Sequence, residues 1–182
     1  LMAAATAAAG FPAHAVVRRL FDPRIDRLVN DFRAAHGYMP IKRDGVAGAR
    51  EIFRVLRHNG FVGLLMDQDT KVRGEWVPFF GVLAHTPVGP AVLAYQAKLD
   101  ANIATIHRRP EGGHIITVSP PIPRPETGDK DGDIRAYTAV LTRALEDRIR
   151  SHPDEWVWMH RRWKKRPPGE AKEENPQRGR ET

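Results

Sequence analysis

Hydrophobic and polar positions alternate between two spacings in the first third of the chain. Residues 15–17 and 38–41 are short apolar runs typical of strands, whereas residues 23–35 and 46–59 carry apolar positions at helical spacing. A glycine closely follows each helical segment, as is common where a helix ends. This order of strand, helix, strand and helix predicts an α/β fold with a largely parallel sheet covered by helices.

Each of these two predicted helices has one apolar face. The first helix carries its apolar face at Ile25, Leu28, Val29 and Phe32. In the second helix we expect an inward apolar face formed by Ile52, Phe53, Val55 and Leu56. The outward face should be basic and contain Arg50, Arg54 and Arg57.

The apolar run at residues 61–66 is followed at once by two carboxylates. The run is too short to span a membrane and too continuous for a half-exposed strand, so it predicts a central strand buried on both faces. Asp67 and Asp69 would then follow the carboxyl end of this strand, the edge at which open α/β sheets bind ligands. The alternative is that both aspartates only cap the next element or start a turn.

The second half of the chain is less regular. Residues 87–98 predict a helix, and residues 101–107 and 114–118 predict two strands joined by a turn. Residues 120–133 are rich in proline, glycine and charge, so they predict an exposed loop. A long amphipathic helix should follow, marked by Ile134, Tyr137, Leu141, Leu145 and Ile149.

The two ends of the chain have unusual compositions. Residues 1–9 are rich in alanine and predict a helix that stops at Gly10, but they lack an N-cap residue, an initial methionine and the basic residues of a signal peptide. We therefore expect Leu1 to lie within the first turn of a helix in a longer parent protein. Residues 169–182 are nearly all polar and predict a disordered tail, leaving one domain at residues 1–168.

Composition restricts the chemistry and the partners. The chain has 182 residues and no cysteine, which excludes a disulfide framework and thiolate catalysis. Its net charge of +7 implies an acidic partner such as nucleic acid, an anionic membrane or an acidic carrier protein. No apolar run approaches the roughly 20 residues of a transmembrane helix.

Several catalytic motifs are absent from the sequence. It contains no Gly-x-Ser-x-Gly elbow, no Gly-rich phosphate loop ending in Gly-Lys and no His-Glu-x-x-His pair. Ser119 and Ser151 are the only serines, which disfavours a serine hydrolase. No two histidines are close enough in sequence to suggest a local metal site, although a site built from distant histidines stays open.

Residues 156–167 combine tryptophan with basic side chains. Indole favours the membrane interface while lysine and arginine bind phosphate, so this segment suits an anionic membrane surface. The same composition would suit nucleic acid. It would also suit a solvated basic segment whose tryptophans pack on the core.

Four segments occur in a distinctive order: Asp-Gln-Asp at 67–69, Val-Pro-Phe-Phe-Gly at 77–81, Ala-x-Thr-x-x-Gly at 84–89 and Trp-x-Trp-x-His-Arg-Arg-Trp-Lys-x-Arg-Pro at 156–167. Together they resemble the bacterial lipid A biosynthesis acyltransferases, the late acyltransferases. The resemblance covers roughly residues 1–169, and the last segment is its most specific part. Arg18 and Arg43 also fit the family pattern.

The resemblance implies a mixed sheet flanked by helices, as in the glycerolipid acyltransferases. It implies transfer of a fatty acyl chain from acyl carrier protein or acyl-CoA to a hydroxyl of a lipid A precursor or other glycolipid, with no cofactor and no metal. It further implies the cytoplasmic face of the bacterial inner membrane, with an anchor helix that this chain lacks. An anionic membrane surface, and not nucleic acid, would then be the partner.

The same resemblance implies a catalytic His-x4-Glu or His-x4-Asp motif, in which histidine is the general base and the carboxylate orients it. His14, His107 and His160 are each followed at the fifth position by a residue other than an acid. We therefore expect that this chain contains no catalytic residue and that the motif lies immediately upstream of Leu1. The chain alone should then be inactive.

The remaining site residues are also implied by the resemblance. Arg18 could bind a phosphate, although a surface ion pair is the alternative, and the aspartates could orient arginines or accept sugar hydroxyls. The expected substrate-binding residues are Arg18, Arg43, Asp67, Gln68, Asp69 and Thr86. Phe79 and Phe80 could line an acyl groove or simply pack in the core, and Trp163 and Lys164 are expected in the groove or facing the membrane.

Two other classes of protein stay open at this stage. One is a non-catalytic nucleic-acid-binding module, favoured by the charge and the basic aromatic segment. The other is a degenerate relative that binds anionic lipid without turnover. Salt-sensitive binding to duplex DNA, stronger than binding to anionic vesicles, would favour the first.

Overall fold

The computed structural model describes residues 1–43 and 45–170, so most of the predicted tail, residues 171–182, lies outside the described part. The fold is α/β, as predicted. Its elements are α1 Met2–Ala8, β1 Ala13–Val17, α2 Pro23–Ala35, β2 Met39–Lys42, α3 Gly45–Arg57, β3 Phe61–Gly63, β4 Gly74–Phe79, β5 Val82–Pro87, α4 Gly89–Ala97, β6 Ala104–Arg108, β7 His114–Val118 and α5 Lys130–Ser151, followed by a short 3-10 helix at Pro153–Glu155.

The chain forms two compact units. The first contains residues 1–65, 93–99 and 104–119, and the second contains residues 66–92, 100–103 and 120–170 of the described chain. Within the described residues, no helix has both the length and the apolar character needed to cross a membrane.

The first unit is built on a parallel sheet with the order β2-β1-β3. Val16 is paired with Ile41 on one side of β1, and His14 is paired with Val62 on the other. The strands β6 and β7 form a separate antiparallel hairpin, as the sequence predicts, although β6 begins three residues later than expected. Ile106 lies opposite Ile116. Among the described residues, the parallel and the antiparallel strands therefore belong to separate sheets.

The prediction that residues 61–66 form a central, doubly buried strand is wrong. Only Phe61–Gly63 pairs with β1, and the central strand of the described sheet is β1 itself. Phe61 is 52% exposed and Leu65 is 76% exposed. Hydrogen-bond pairing ends at Gly63, although the apolar residues continue. An apolar run therefore indicated neither the length of the strand nor its position in the sheet.

Helix α3 packs as its pattern predicts. Ile52 and Val55 are buried with Ile41 in one cluster, and partly buried apolar side chains surround it. Gly48 lets the helix approach β2 closely, because a Cβ at that position would lie 2.1 Å from the carbonyl oxygen of Lys42.

Helix α2 packs differently from its pattern. It begins at an Asp22 N-cap, whose carboxylate accepts a hydrogen bond from the Arg24 N–H at 2.8 Å, as is usual for a helix start. Its buried residue is Asp26, which accepts hydrogen bonds from the Leu20 N–H and the Asn30 amide. The apolar side chains Ile25, Leu28 and Phe32 are instead 52%, 69% and 61% exposed.

The second unit places the β4–β5 hairpin beside α5. Phe80 and Gly81 form the two-residue turn and both have positive φ, +51° and +80°, as a type I′ turn requires. Helix α5 begins at Lys130 because Asp129 caps it by accepting a hydrogen bond from the Gly132 N–H, so the predicted loop at 120–133 extends four residues too far. The core of this unit is lined by Val77, Phe79, Ala84, Tyr137, Leu141 and Ile149.

Candidate functional site

Asp69 is the centre of a polar network in the second unit. Its side chain is 7% exposed, and its Oδ1 lies 2.7 Å from the Lys165 ammonium and 3.1 Å from His85 Nδ1. Its backbone N–H donates to His160 Nε2 at 2.9 Å. Three residues that are remote in sequence therefore hold this one aspartate.

Both histidine rings contact this aspartate or its partner lysine. His85 Nδ1 lies 3.1 Å from Asp69 Oδ1 and 3.3 Å from the Lys165 ammonium, and His160 Nε2 accepts the hydrogen bond from the Asp69 N–H. Gly74 makes room for the His85 ring, because a Cβ at that position would lie 2.7 Å from its Nε2.

Asp67 contacts Trp156 of the segment at residues 156–167. Its Oδ2 accepts a hydrogen bond from the Trp156 indole N–H at 3.2 Å. Its Oδ1 is buried and has no hydrogen-bond partner among the described residues. A buried carboxylate oxygen without a partner is costly, so Asp67 has capacity for one further donor.

Arg162, in the segment at residues 156–167, is hydrogen-bonded to β5. It is 1% exposed, and its guanidinium donates to the His85 carbonyl at 2.8 Å and to Thr86 Oγ1 at 2.5 Å. The guanidinium also lies 5.1 Å from the centre of the Phe79 ring. Burial lowers the pKa of Arg162, and the negative charges of Asp69 and Asp67 oppose that effect, so the group stays charged at neutral pH.

Aromatic side chains form the wall beneath these polar groups. Phe79 is fully buried, and its ring centre lies 5.6 Å from that of Trp156 and 5.7 Å from that of Trp163. The Trp163 indole N–H donates to the Phe79 carbonyl at 3.3 Å. Phe80 is partly buried against the same cluster and lies under the guanidinium of Arg150.

The turn at Phe80 is held by a buried glutamate of α5. Glu146 is 2% exposed and accepts hydrogen bonds from the Phe80 N–H at 2.7 Å and from Arg150 at 2.7 Å. Burial by itself raises the pKa of Glu146, but these hydrogen bonds and the charges of Arg150 and Arg143 outweigh it, so the pKa lies below its ordinary value.

The predicted substrate-binding residues divide between the two units. Asp67, Gln68, Asp69 and Thr86 belong to the second unit, where Thr86 is fully buried against Arg162 and Asp69 faces an open cleft. Arg18 and Arg43 belong to the first unit and are exposed. They follow the neighbouring strands β1 and β2, and the Arg43 N–H donates to the Val17 carbonyl at 3.0 Å, so both emerge at one edge of the sheet.

Four residues of this network were not among the predicted site residues: His85, His160, Arg162 and Lys165. Arg162 and Lys165 lie inside the basic aromatic segment, where composition alone could not separate a buried cation from an exposed one. His85 has no sequence signal, because its role depends on strand pairing opposite Trp76. Within the described part of the chain, no group of three or more histidine, aspartate or glutamate side chains could hold a metal ion.

Comparison with known proteins gives one family and two kinds of relative. The model of the family described as bacterial lipid A biosynthesis acyltransferase matches residues 2–165. A phosphatidylinositol mannoside acyltransferase of Mycobacterium tuberculosis is 30% identical over 153 residues, which is 81% of this chain and 46% of the relative. A lipid A biosynthesis lauroyltransferase of Escherichia coli is 27% identical over 161 residues, 87% of this chain and 50% of the relative. The chain thus spans about half the length of the curated relatives that it matches.

Proposed function

Because the chain belongs to the bacterial lipid A biosynthesis acyltransferase family, we propose that its whole protein transfers a fatty acyl chain to a hydroxyl of a lipid A precursor or a related glycolipid. One observation carries this proposal beyond the family match. The sequence segments that resemble the family, residues 67–69, 84–89 and 156–167, converge on the network around Asp69.

The donor is acyl carrier protein or acyl-CoA, since both present the acyl group as a thioester. The acceptor follows the two kinds of relative, whose names specify lipid A and phosphatidylinositol mannoside. Both acceptors carry sugar hydroxyls and phosphate, so a site for either needs a hydroxyl-orienting group and a cation. Arg18 and Arg43 at the edge of the parallel sheet are suited to the phosphate, because a guanidinium binds phosphate through paired hydrogen bonds.

The chemical step uses residues upstream of Leu1. A histidine of a His-x4-Glu motif removes the proton of the acceptor hydroxyl as its oxygen attacks the thioester carbonyl. The carbon–sulfur bond then breaks, and the histidine returns the proton to the leaving thiol. The chain of residues 1–168 is the C-terminal portion of the acyltransferase domain in this proposal and is inactive by itself.

The acyl chain and the membrane require apolar surface. Phe80 and Trp163 are partly buried and are suited to one wall of an acyl groove, whereas Phe79 has no exposed surface to offer. On α2, the exposed stripe of Ile25, Leu28 and Phe32 runs beside exposed arginines, a combination that suits an anionic inner-membrane surface. The unmodified protein should bind anionic vesicles more strongly than neutral ones, and Leu28→Glu should weaken its binding to anionic vesicles. A variant that binds anionic vesicles as strongly as the unmodified protein contradicts a membrane role of this stripe.

The test of the function is acyl transfer by the whole protein. Arg18→Ala should reduce transfer while leaving the circular dichroism spectrum unchanged, because the exposed arginine is proposed to hold a phosphate and not to pack. Arg109→Ala, at an exposed hairpin turn, is the matched control and should transfer normally. A parent protein whose upstream segment lacks the histidine and its acid would sink the catalytic proposal in favour of a lipid-binding remnant.

A further inference from the structure

An open cleft of about 550 Å³ lies beside the Asp69 network in the second unit. One wall is formed by residues 69–71 and Trp76, and the other by residues 164–167 with Glu170. Four of the lining side chains are cations: Lys71, Lys164, Lys165 and Arg166. Asp69 and Glu170 are the two carboxylates, so the lining has an excess of positive charge.

The four cations are not equivalent. Lys165 is committed to the protein, because its ammonium lies 2.7 Å from Asp69 Oδ1 and 3.2 Å from the Thr70 carbonyl. Lys71, Lys164 and Arg166 form no ion pair within the described residues. The charge of Asp69 is thus offset from inside the network, and three cations are left to face the cleft.

The cleft also has a flat apolar wall. Trp76 and Pro167 line it, and the Trp76 ring is held edge-on to His85 at 5.5 Å between ring centres. Because His85 is in turn hydrogen-bonded to Asp69, this wall is fixed to the network. An indole beside several cations is suited to a ligand that has a phosphate at one end and a sugar or aliphatic portion at the other.

We propose that this cleft binds a phosphate group carried by one of the two reactants. The inference rests on the proposed function, which supplies two sources of such a group: the phosphopantetheine arm of the acyl donor and a sugar phosphate of the acceptor. Lys71, Lys164 and Arg166 contact the phosphate oxygens. Trp76 lies against the organic portion of the ligand.

The experiment is isothermal titration of the 182-residue chain at low salt with 4′-phosphopantetheine and, separately, with glucosamine 1-phosphate. Pantetheine and glucosamine are the controls without phosphate. The test variant is Lys71→Gln/Lys164→Gln/Arg166→Gln. The charge-matched control is Arg27→Gln/Arg109→Gln/Lys130→Gln, three exposed cations outside the cleft.

We expect at least one phosphate probe to bind and the cleft variant to bind it at least about tenfold more weakly, since the variant lacks all three cations that are proposed to contact the phosphate oxygens. The charge-matched variant should lose far less. Binding of 4′-phosphopantetheine alone identifies the donor, binding of glucosamine 1-phosphate alone identifies the acceptor, and binding of both identifies a general phosphate site.

Three results would overturn the assignment: no binding of either phosphate probe, equal binding of the probes without phosphate, or equal weakening in both triple variants. The titration needs no turnover, so it separates this inference from the proposed function. If the parent protein transfers no acyl group but its cleft still binds phosphate, the proposed function is wrong and the phosphate site stands. If the parent protein is active but its cleft binds no phosphate, the phosphate site is wrong and the proposed function stands.

Discussion

The Phe79 cluster of the second unit and helix α2 of the first unit use their hydrophobic residues in opposite ways. In the second unit, large apolar side chains enclose a buried cation: Phe79 is 0% exposed, and Arg162 is 1% exposed above its ring. In the first unit, α2 buries a carboxylate, Asp26, and exposes Ile25, Leu28 and Phe32. The comparison teaches that an amphipathic pattern identifies the apolar face of a helix. The pattern does not predict whether the core of the same unit covers that face.

The sharpest way to break this comparison is to make the same substitution in both units. Phe79→Ala should lower the free energy of unfolding by about 3–5 kcal/mol, because it opens a cavity among Trp156, Trp163 and Phe80. Phe32→Ala should change it by no more than about 0.5 kcal/mol, because that ring is mostly exposed. Urea unfolding followed by circular dichroism measures both, and similar losses would mean that the α2 stripe is covered after all.

The next largest effect should come from the buried cation. Arg162→Met removes the donor to Thr86 Oγ1 and the His85 carbonyl, so we expect a loss of about 3 kcal/mol in the free energy of unfolding. Arg162→Lys should recover only part of it, because an ammonium does not span both acceptors. Tryptophan fluorescence during urea unfolding reports this unit, which contains all four tryptophans.

Arg161→Met is the matched control for Arg162, since the neighbouring side chain is exposed. It should leave the unfolding midpoint unchanged. If it destabilises the chain as much as Arg162→Met does, positive charge in this segment matters generally and the buried network is not the cause.

A smaller effect should depend on pH. The pKa of Glu146 is lower in the folded chain than its ordinary value, so the unfolded chain binds more protons as the pH falls. Its contribution is complete above the ordinary glutamate pKa of about 4.3 and is lost as the pH falls through the lower folded value.

Glu146→Gln tests that contribution. The variant should be less stable than the natural chain by about 1 kcal/mol at neutral pH, and the difference should shrink in acid. Urea unfolding at about pH 7 and about pH 3.5 measures it. A difference that stays constant between the two conditions would show that Glu146 acts through packing alone.

Much of the fold could be predicted from the sequence because local signals agreed with one another. The helix at 23–35 is flanked by Asp22 and Gly37, and the β6–β7 hairpin turns at two glycines with positive φ. The β4–β5 hairpin was missed, because Phe80 occupies a left-handed position usually taken by asparagine, aspartate or glycine. The Phe80 N–H of that turn donates a hydrogen bond to Glu146, which lies 66 residues away in the sequence.

The candidate site could be predicted only in part. Asp67, Asp69 and Thr86 were expected to bind substrate, which stays a prediction, and the structure brings them together with Arg162 and Lys165. Spacing could not reveal His85, because its contact with Asp69 joins the side chains of a strand residue and of a loop residue 16 positions earlier.

The sequence by itself determined the class of fold, the order of the elements outside the β4–β5 hairpin and the family, since these depend on local spacing and on short ordered motifs. Only the tertiary structure decided that residues 61–66 do not form a central strand, that α2 exposes its apolar face, and that Arg162 is buried while Arg161 is exposed. The physical reason is that burial is a property of what covers a side chain, and that covering comes from residues far away in the sequence.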